Sequence, residues 1–191
     1  MTPLPSTLGF EWTHRTDAYA THQPVLYEAI KLAEKYNPDA NILELGVGNG
    51  STRLIHSVAN PETSVVSIET DLDWARQFGK LIKRNRYLIL VQDWDELYED
   101  WMDHYGLVFV DMGSWDARLK AVKNFIDSKI VVVHDSDYLE REYPFKFSDH
   151  YKYYKTFMPL PPYPYMTGPP TTILSNFIDV TKLEVNYEEY Q

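Results

Sequence analysis

At 191 residues and 22.4 kDa, the chain suits one well-buried α/β domain and is too short for two, and no apolar run approaches the length of a bilayer span. A formal net charge of −10 repels phosphate backbones and argues against nucleic acid as a partner. The lack of cysteine removes disulfides and thiolate metal sites and, without a basic-then-apolar leader, points to the cytoplasm and away from membranes.

Residues 1–23 mix proline, threonine and aromatic residues without periodicity. They form an arm in which Trp12, His14, Tyr19 and His22 either cover a ligand or pack onto the domain. Pro24 suits the first turn of a helix, whose stripe of Val25, Leu26, Ala29, Ile30 and Ala33 ends at Asn37-Pro38. Ile42, Leu43 and Leu45 then make a buried strand that runs into Gly46-Val47-Gly48-Asn49-Gly50. Ser51 and Thr52 cap a following helix that carries Leu54, Ile55 and Val58. Three alternate glycines let the backbone turn sharply and approach a ligand closer than a Cβ allows, although a glycine turn can also serve packing alone. Glu44, two residues before the first glycine, can accept a hydrogen bond from a cationic amine but repels a pyrophosphate, which favours a ligand with an amino-acid moiety.

Here the sequence resembles the class I S-adenosylmethionine-dependent methyltransferases, whose first motif is an acid, any residue, then Gly-x-Gly-x-Gly. The resemblance implies S-adenosylmethionine as cofactor, with Glu44, Gly46, Gly48, Gly50, Ser51 and Thr52 around it. A dehydrogenase using a nicotinamide cofactor is disfavoured by Glu44 and by the shorter glycine spacing.

After Asn60-Pro61 the run Ser64 to Ile68 forms a second strand ending at Glu69. A carboxylate outside the carboxyl end of a parallel strand can take both ribose hydroxyls, and the resemblance gives Glu69 that role. Asp71 caps a helix on which Trp74, Phe78, Leu81 and Ile82 share a face, and the cluster Lys80, Lys83, Arg84 and Arg86 reads as its solvated end. Tyr87 to Val91 is a third strand. The resemblance places adenine recognition at Asp93, as acceptor for the amine, and at Trp94, as stacking surface; the alternative is a helix cap at Asp93 with Trp94 in the core. Leu107 to Val110 is a fourth strand ending at Asp111, and a helix with Leu119, Val122 and Ile126 leads to a fifth, Ile130 to Val133, followed by His134-Asp135-Ser136-Asp137. This alternation demands right-handed crossovers and a doubly wound, mostly parallel sheet with its acids along one edge.

Tyr151 to Phe157 and Thr171 to Phe177 read as two further strands joined by a loop stiffened by Pro159, Pro161, Pro162, Pro164, Pro169 and Pro170. The methyltransferase fold ends in such an antiparallel pair, so the resemblance implies a seven-stranded Rossmann-like sheet over a core of residues 24–177. Residues 178–191 form an acidic tail expected to be exposed.

Methyl transfer needs an in-line arrangement of nucleophile, carbon and sulfur, and a way to remove or mask the acceptor's proton. The sequence offers two. Asp111, which also borders the cofactor, and Asp135 could hold Mg2+ or another divalent cation, with Ser136 or Asp137 and waters completing the shell; alternatively, His134 could act as general base. Residues 108–135 resemble the metal-dependent O-methyltransferases of catechols and sugars, but Met112-Gly113-Ser114 and Ser136 stand where the catechol enzymes carry a lysine and an asparagine. The segment from Tyr138 to Tyr165 suits an acceptor pocket for a small molecule or sugar, and equally a subunit interface in a homo-oligomer. The expected activity is O-methylation; a scaffolding protein that keeps the fold without catalysis is the alternative.

Overall fold

The structure, a computed structural model, describes residues 10–38, 41–96, 105–159 and 168–190. The outer part of the arm and the loop residues Pro161, Pro162, Pro164 and Tyr165 lie outside that set. Its centre is a seven-stranded sheet in the order β3-β2-β1-β4-β5-β7-β6. The strands are β1 Ile42–Leu45, β2 Val65–Glu69, β3 Arg86–Leu90, β4 Leu107–Val110, β5 Ile130–His134, β6 Tyr153–Phe157 and β7 Thr171–Ser175. The first five run parallel, and β7 lies antiparallel between β5 and β6.

Residue type explains the order. In β1, β2, β4, β5 and β7 every residue is buried, as expected where helices cover both faces of a sheet. The edge strands β3 and β6 mix buried or half-buried with exposed positions. Alternation along each inner strand sorts its side chains between two cores. Leu43, Leu45, Val108, Val110, Val131 and Val133 face α4 (Trp115–Asn124), whereas Ile42, Phe109, Val132 and Ile173 face α1 (Gln23–Tyr36) and α2 (Thr52–Val58). Glu44 and Ser67, paired across β1 and β2, share the second face. Among the described residues no helix is long and apolar enough to cross a membrane.

Three local expectations need correction. The stripe from Trp74 to Ile82 does not make one α-helix: α3 (Leu72–Ala75), capped as expected by Asp71, gives way to a 3-10 helix at Arg76–Leu81. The tighter winding breaks the 3.6-residue period, so Phe78 is buried while Ile82 is exposed. Arg86 is not at a solvated helix end. It opens β3 at 2% exposure and donates to the carbonyls of Ala59, Asn60, Thr63 and Asn85, satisfying a loop that would otherwise bury bare acceptors. Nor is the tail exposed throughout: Val180, Tyr187 and Tyr190 are buried while the residues between them are exposed or half-buried. The Tyr187 carbonyl accepts from Arg15, Tyr190 packs 4.8 Å from Trp12 and bonds Glu28, and Lys155 reaches the Leu183 carbonyl.

Candidate active site

The site lies outside the carboxyl ends of β1 and β4, where the chain's crossovers leave in opposite directions and a crevice opens in folds of this kind. Gly46 closes the turn with φ +89 and its amide on the Ile68 carbonyl; a Cβ there would sit 2.6 Å from the Asp111 carbonyl oxygen. The next two amides are held from behind. Val47 N donates to Glu69 Oε2 at 3.1 Å, and Gly48 N donates to Thr52 Oγ1 at 2.8 Å, whose own proton goes to Glu44 Oε1 at 2.9 Å. Ser67 Oγ donates to the other oxygen of Glu44 at 2.5 Å.

Glu44 and Glu69 therefore build the loop and do not face its ligand side. Glu44 is fully buried with both oxygens taken, and Glu69 also accepts the Thr70 and Asp71 amides at 2.6 and 3.0 Å. The row of carboxylates expected around one ligand is not gathered. Strand alternation turns Glu44 toward α2, and the tight turn after β2 folds the Glu69 side chain back on its own backbone. Asp93 is exposed and caps the 3-10 turn Trp94–Glu96 through the Asp95 amide, while Trp94 is 8% exposed in the core beside Val91 and Tyr105. The aromatic wall beside the glycine loop is Trp74, 37% exposed, with Nε1 on the Val47 carbonyl at 2.7 Å.

Burial raises the Glu44 carboxyl to about 7, against the pull of hydroxyls from Ser67, Ser51 and Thr52. Its protonated form is thus favoured in the folded chain, and stability is fully present below the ordinary value of 4.5 and lost as pH rises through 7. A rise of that size is worth on the order of 3 kcal/mol. Urea unfolding is expected to show stability falling between pH 4.5 and 7.5, with a shallower slope in Glu44→Gln; equal slopes would contradict the assignment.

Two cavities open at this edge. One, of about 440 Å³, is lined by Val47 to Gly50, Trp74, Asp111, Arg118, His134, Asp135 and, from the arm, Asp17, Tyr19 and His22. The other, of about 520 Å³, is bounded by Trp115, Ser136, Tyr138, Arg141, Met158 and Pro170. They share Tyr19 and Asp135. The arm thus divides its roles: Tyr19 and His22 cover the site, whereas Trp12 and His14 pack against Tyr27, Tyr187 and Tyr190.

Between Asp111 and Asp135, where a divalent cation was expected, stands Arg118. Its Nη2 is 2.9 Å from Asp111 Oδ1, its Nη1 is 3.2 Å from Asp135 Oδ2 and 2.9 Å from the His134 carbonyl, and its Nε bonds the Met112 carbonyl. The guanidinium also lies over Trp115, 4.5 Å from the ring centroid. A fixed cation with five donors fills the space between the carboxylates. Ser136 is no ligand either, since its hydroxyl bonds the Pro170 carbonyl and Thr172. Sequence reasoning missed Arg118, although its spacing of three and four from Ala121 and Val122 puts it on the buried stripe of α4, where an unpaired arginine is costly.

Burial lifts Asp111 to about 8 despite Arg118, with Asp135 and Glu44 adding to the rise, and lifts Asp135 in the same direction. Burial, then Arg118, holds His134 down to about 3. Its imidazole is therefore neutral at pH 7 and too weak a base to keep an acceptor's proton. Asp135 has φ 52 at the turn into α5 (Ser136–Glu142), a left-handed conformation that a non-glycine residue adopts at a cost and that clusters at functional sites.

No family model matches the chain, and no curated protein matches it. Solved structures do. Rv0187 from MTB, in a cofactor-bound form, superposes with a TM-score of 0.60 at 15% identity over 81% of this chain and 80% of its own. A Klebsiella pneumoniae protein designated an O-methyltransferase gives 0.61 at 12% identity over 93% of both chains. The bifunctional kinase-methyltransferase WbdD gives 0.57 at 13% identity over 86% of this chain and 41% of its own. The chain has the Rossmann-like fold of the class I methyltransferases, with the antiparallel strand pair at its end.

Proposed function

We propose that the chain is an S-adenosylmethionine-dependent methyltransferase acting on oxygen of a small molecule or sugar. The observation that carries this reading is the pair of cavities meeting at Tyr19 and Asp135, one against a bare glycine backbone and the other walled by aromatic rings. A Cβ at Gly48 would meet only Ser51 Oγ, at 3.4 Å. The loop therefore presents open backbone to a cavity within the roughly 300–1,000 Å³ of ligand pockets. That shape and the nearby acids fit the methyl donor, which supplies an electrophilic methyl on a positively charged sulfur.

The residues would divide the work. The Val47–Gly50 backbone and Trp74 hold the donor, and Asp111 and Asp17, which line this cavity in place of Glu44 and Glu69, accept from its amine. Trp115 and Tyr138, stacked with centroids 3.8 Å apart, form one wall for the acceptor. Asp135, on the boundary, takes the acceptor's hydroxyl proton; its raised affinity for protons suits it to that task better than an ordinary carboxylate. Arg118 orients Asp111 and Asp135 and neutralises part of their charge.

The test is transfer of a labelled methyl from S-adenosylmethionine to a panel of phenols, polyols and sugars. Label in an ether product supports the reading, and donor binding without transfer to any acceptor would favour the scaffolding alternative. With an accepted substrate, Tyr138→Ala is expected to raise KM about three- to tenfold, the worth of a stacked aromatic contact, without changing donor affinity. An unchanged KM would remove Tyr138 from the acceptor site.

A further inference from the structure

His22 at the start of α1, Asp111 just past β4 and His134 at the end of β5 belong to three separate elements, yet one donor atom from each lies within 4.8 Å of the other two. His22 is 1% exposed with neither ring nitrogen partnered, and His134 is 2% exposed with Nε2 unpartnered. Buried polar atoms are nearly always satisfied, so three idle imidazole nitrogens beside a carboxylate call for a ligand. The two rings meet edge to face with centroids 4.6 Å apart. The other nitrogen of His134, Nδ1, lies 3.2 Å from Thr171 Oγ1, the kind of outer partner that fixes the tautomer of a metal-bound imidazole. Arg118 engages Oδ1 of Asp111, and a carboxylate has a second oxygen to offer.

We propose that His22, Asp111 and His134 form a site for a divalent transition cation of the zinc or iron class. Two imidazoles and one carboxylate suit those ions, whereas Mg2+ prefers an octahedron of oxygens. Bonds of about 2.0–2.1 Å in tetrahedral geometry need donor separations of roughly 3.3 Å, which small side-chain rotations reach from the present spacing. All three residues line the cavity beside the glycine loop, so the ion's remaining positions open onto it. This site differs from one held by Asp111, Asp135 and Ser136, and it does not depend on the methyl-donor reading.

The test uses the full chain stripped of metal, titrated with Zn2+, Co2+ and Mg2+ by calorimetry and with Co2+ by visible absorption. One-to-one binding of Zn2+ and Co2+ is expected, with ligand-field bands for Co2+ and Mg2+ weaker by at least a hundredfold. His22→Gln and His134→Gln are each expected to weaken Zn2+ by at least tenfold, and Thr171→Val by about 10–100-fold; His150→Gln, outside the cluster, leaves it unchanged. Absence of binding to the wild type, Mg2+ binding as tight as Zn2+, or full affinity in both histidine variants would overturn the proposal. Should either variant fail to fold, Cu2+ electron paramagnetic resonance on the wild type decides: coupling to imidazole nitrogens supports the site, and its absence refutes it. S-adenosylhomocysteine titrated into the same metal-free chain reads the methyl-donor proposal separately, so each can fail without the other.

Discussion

Arg118→Met is expected to destabilise the chain at pH 7.5 by about 3–5 kcal/mol, the usual loss when one partner of a buried ion pair is removed. The side chain of Arg118 is 6% exposed and those of Asp111 and Asp135 are 21% and 29% exposed, so water could take over only part of its contacts. Four acceptors lose a donor at once: the two carboxylates and the carbonyls of Met112 and His134. The pH dependence has a definite sign. Burial raises both carboxyls in the folded chain, so each contributes stability below its unfolded value that is lost as pH rises through the folded one. Removing the arginine accentuates this, and the deficit should shrink toward pH 4.5 as the carboxyls gain protons. Arg118→Lys keeps the charge but not the planar fork and should fall between the two. Urea unfolding at both pH values checks this. A deficit below 1 kcal/mol at pH 7.5, or one that does not change with pH, would contradict the role given to Arg118.

Gly46→Ala is expected to cost about 2–5 kcal/mol, combining left-handed strain with overpacking. The φ of +89 disfavours any L side chain, and the new methyl would fall 2.6 Å from the Asp111 carbonyl oxygen and 2.7 Å from Met112 Cα. Both neighbours are backbone immediately past β4, so neither yields cheaply, and relief would push that end of β4 away from β1. Chemical denaturation of Gly46→Ala within 0.5 kcal/mol of the wild type would show that the turn tolerates a side chain and that the close approach of loop and strand is not required.

The apolar runs at Ile42, Val65, Leu107 and Ile130 made four of the five parallel strands legible, because strands buried on both faces are mostly apolar. The glycine loop was legible for the same reason: the backbone approach that Gly46 makes to Asp111 leaves no room for another residue type. The carboxylates were harder. Glu44 and Glu69 sit at the positions the motif gives them, but which way an acid points at a strand end depends on the turn that follows, and here hydroxyls and amides of the loop claim them. Asp93 and Trp94 followed the plainer alternative, a cap beside a core residue. Helical spacing marked Arg118 as buried but did not name Asp111 and Asp135 as its partners, and the approach of His22 to His134 depends on how the arm packs, which local sequence does not encode. The tail was misjudged from its acids, since Val180, Tyr187 and Tyr190 supply the buried contacts.

The central claim is that the bare backbone at Gly48 cradles the methyl donor, and calorimetry with S-adenosylhomocysteine on the wild type and on Gly48→Val tests it most directly. A Cβ there would meet only Ser51 Oγ, and Gly48 lines the cavity, so the variant is expected to melt with the wild type while crowding the donor. One-to-one binding by the wild type, weakened at least tenfold in Gly48→Val, is the predicted result. No binding by the wild type, or equal affinity in the two proteins, would contradict the account.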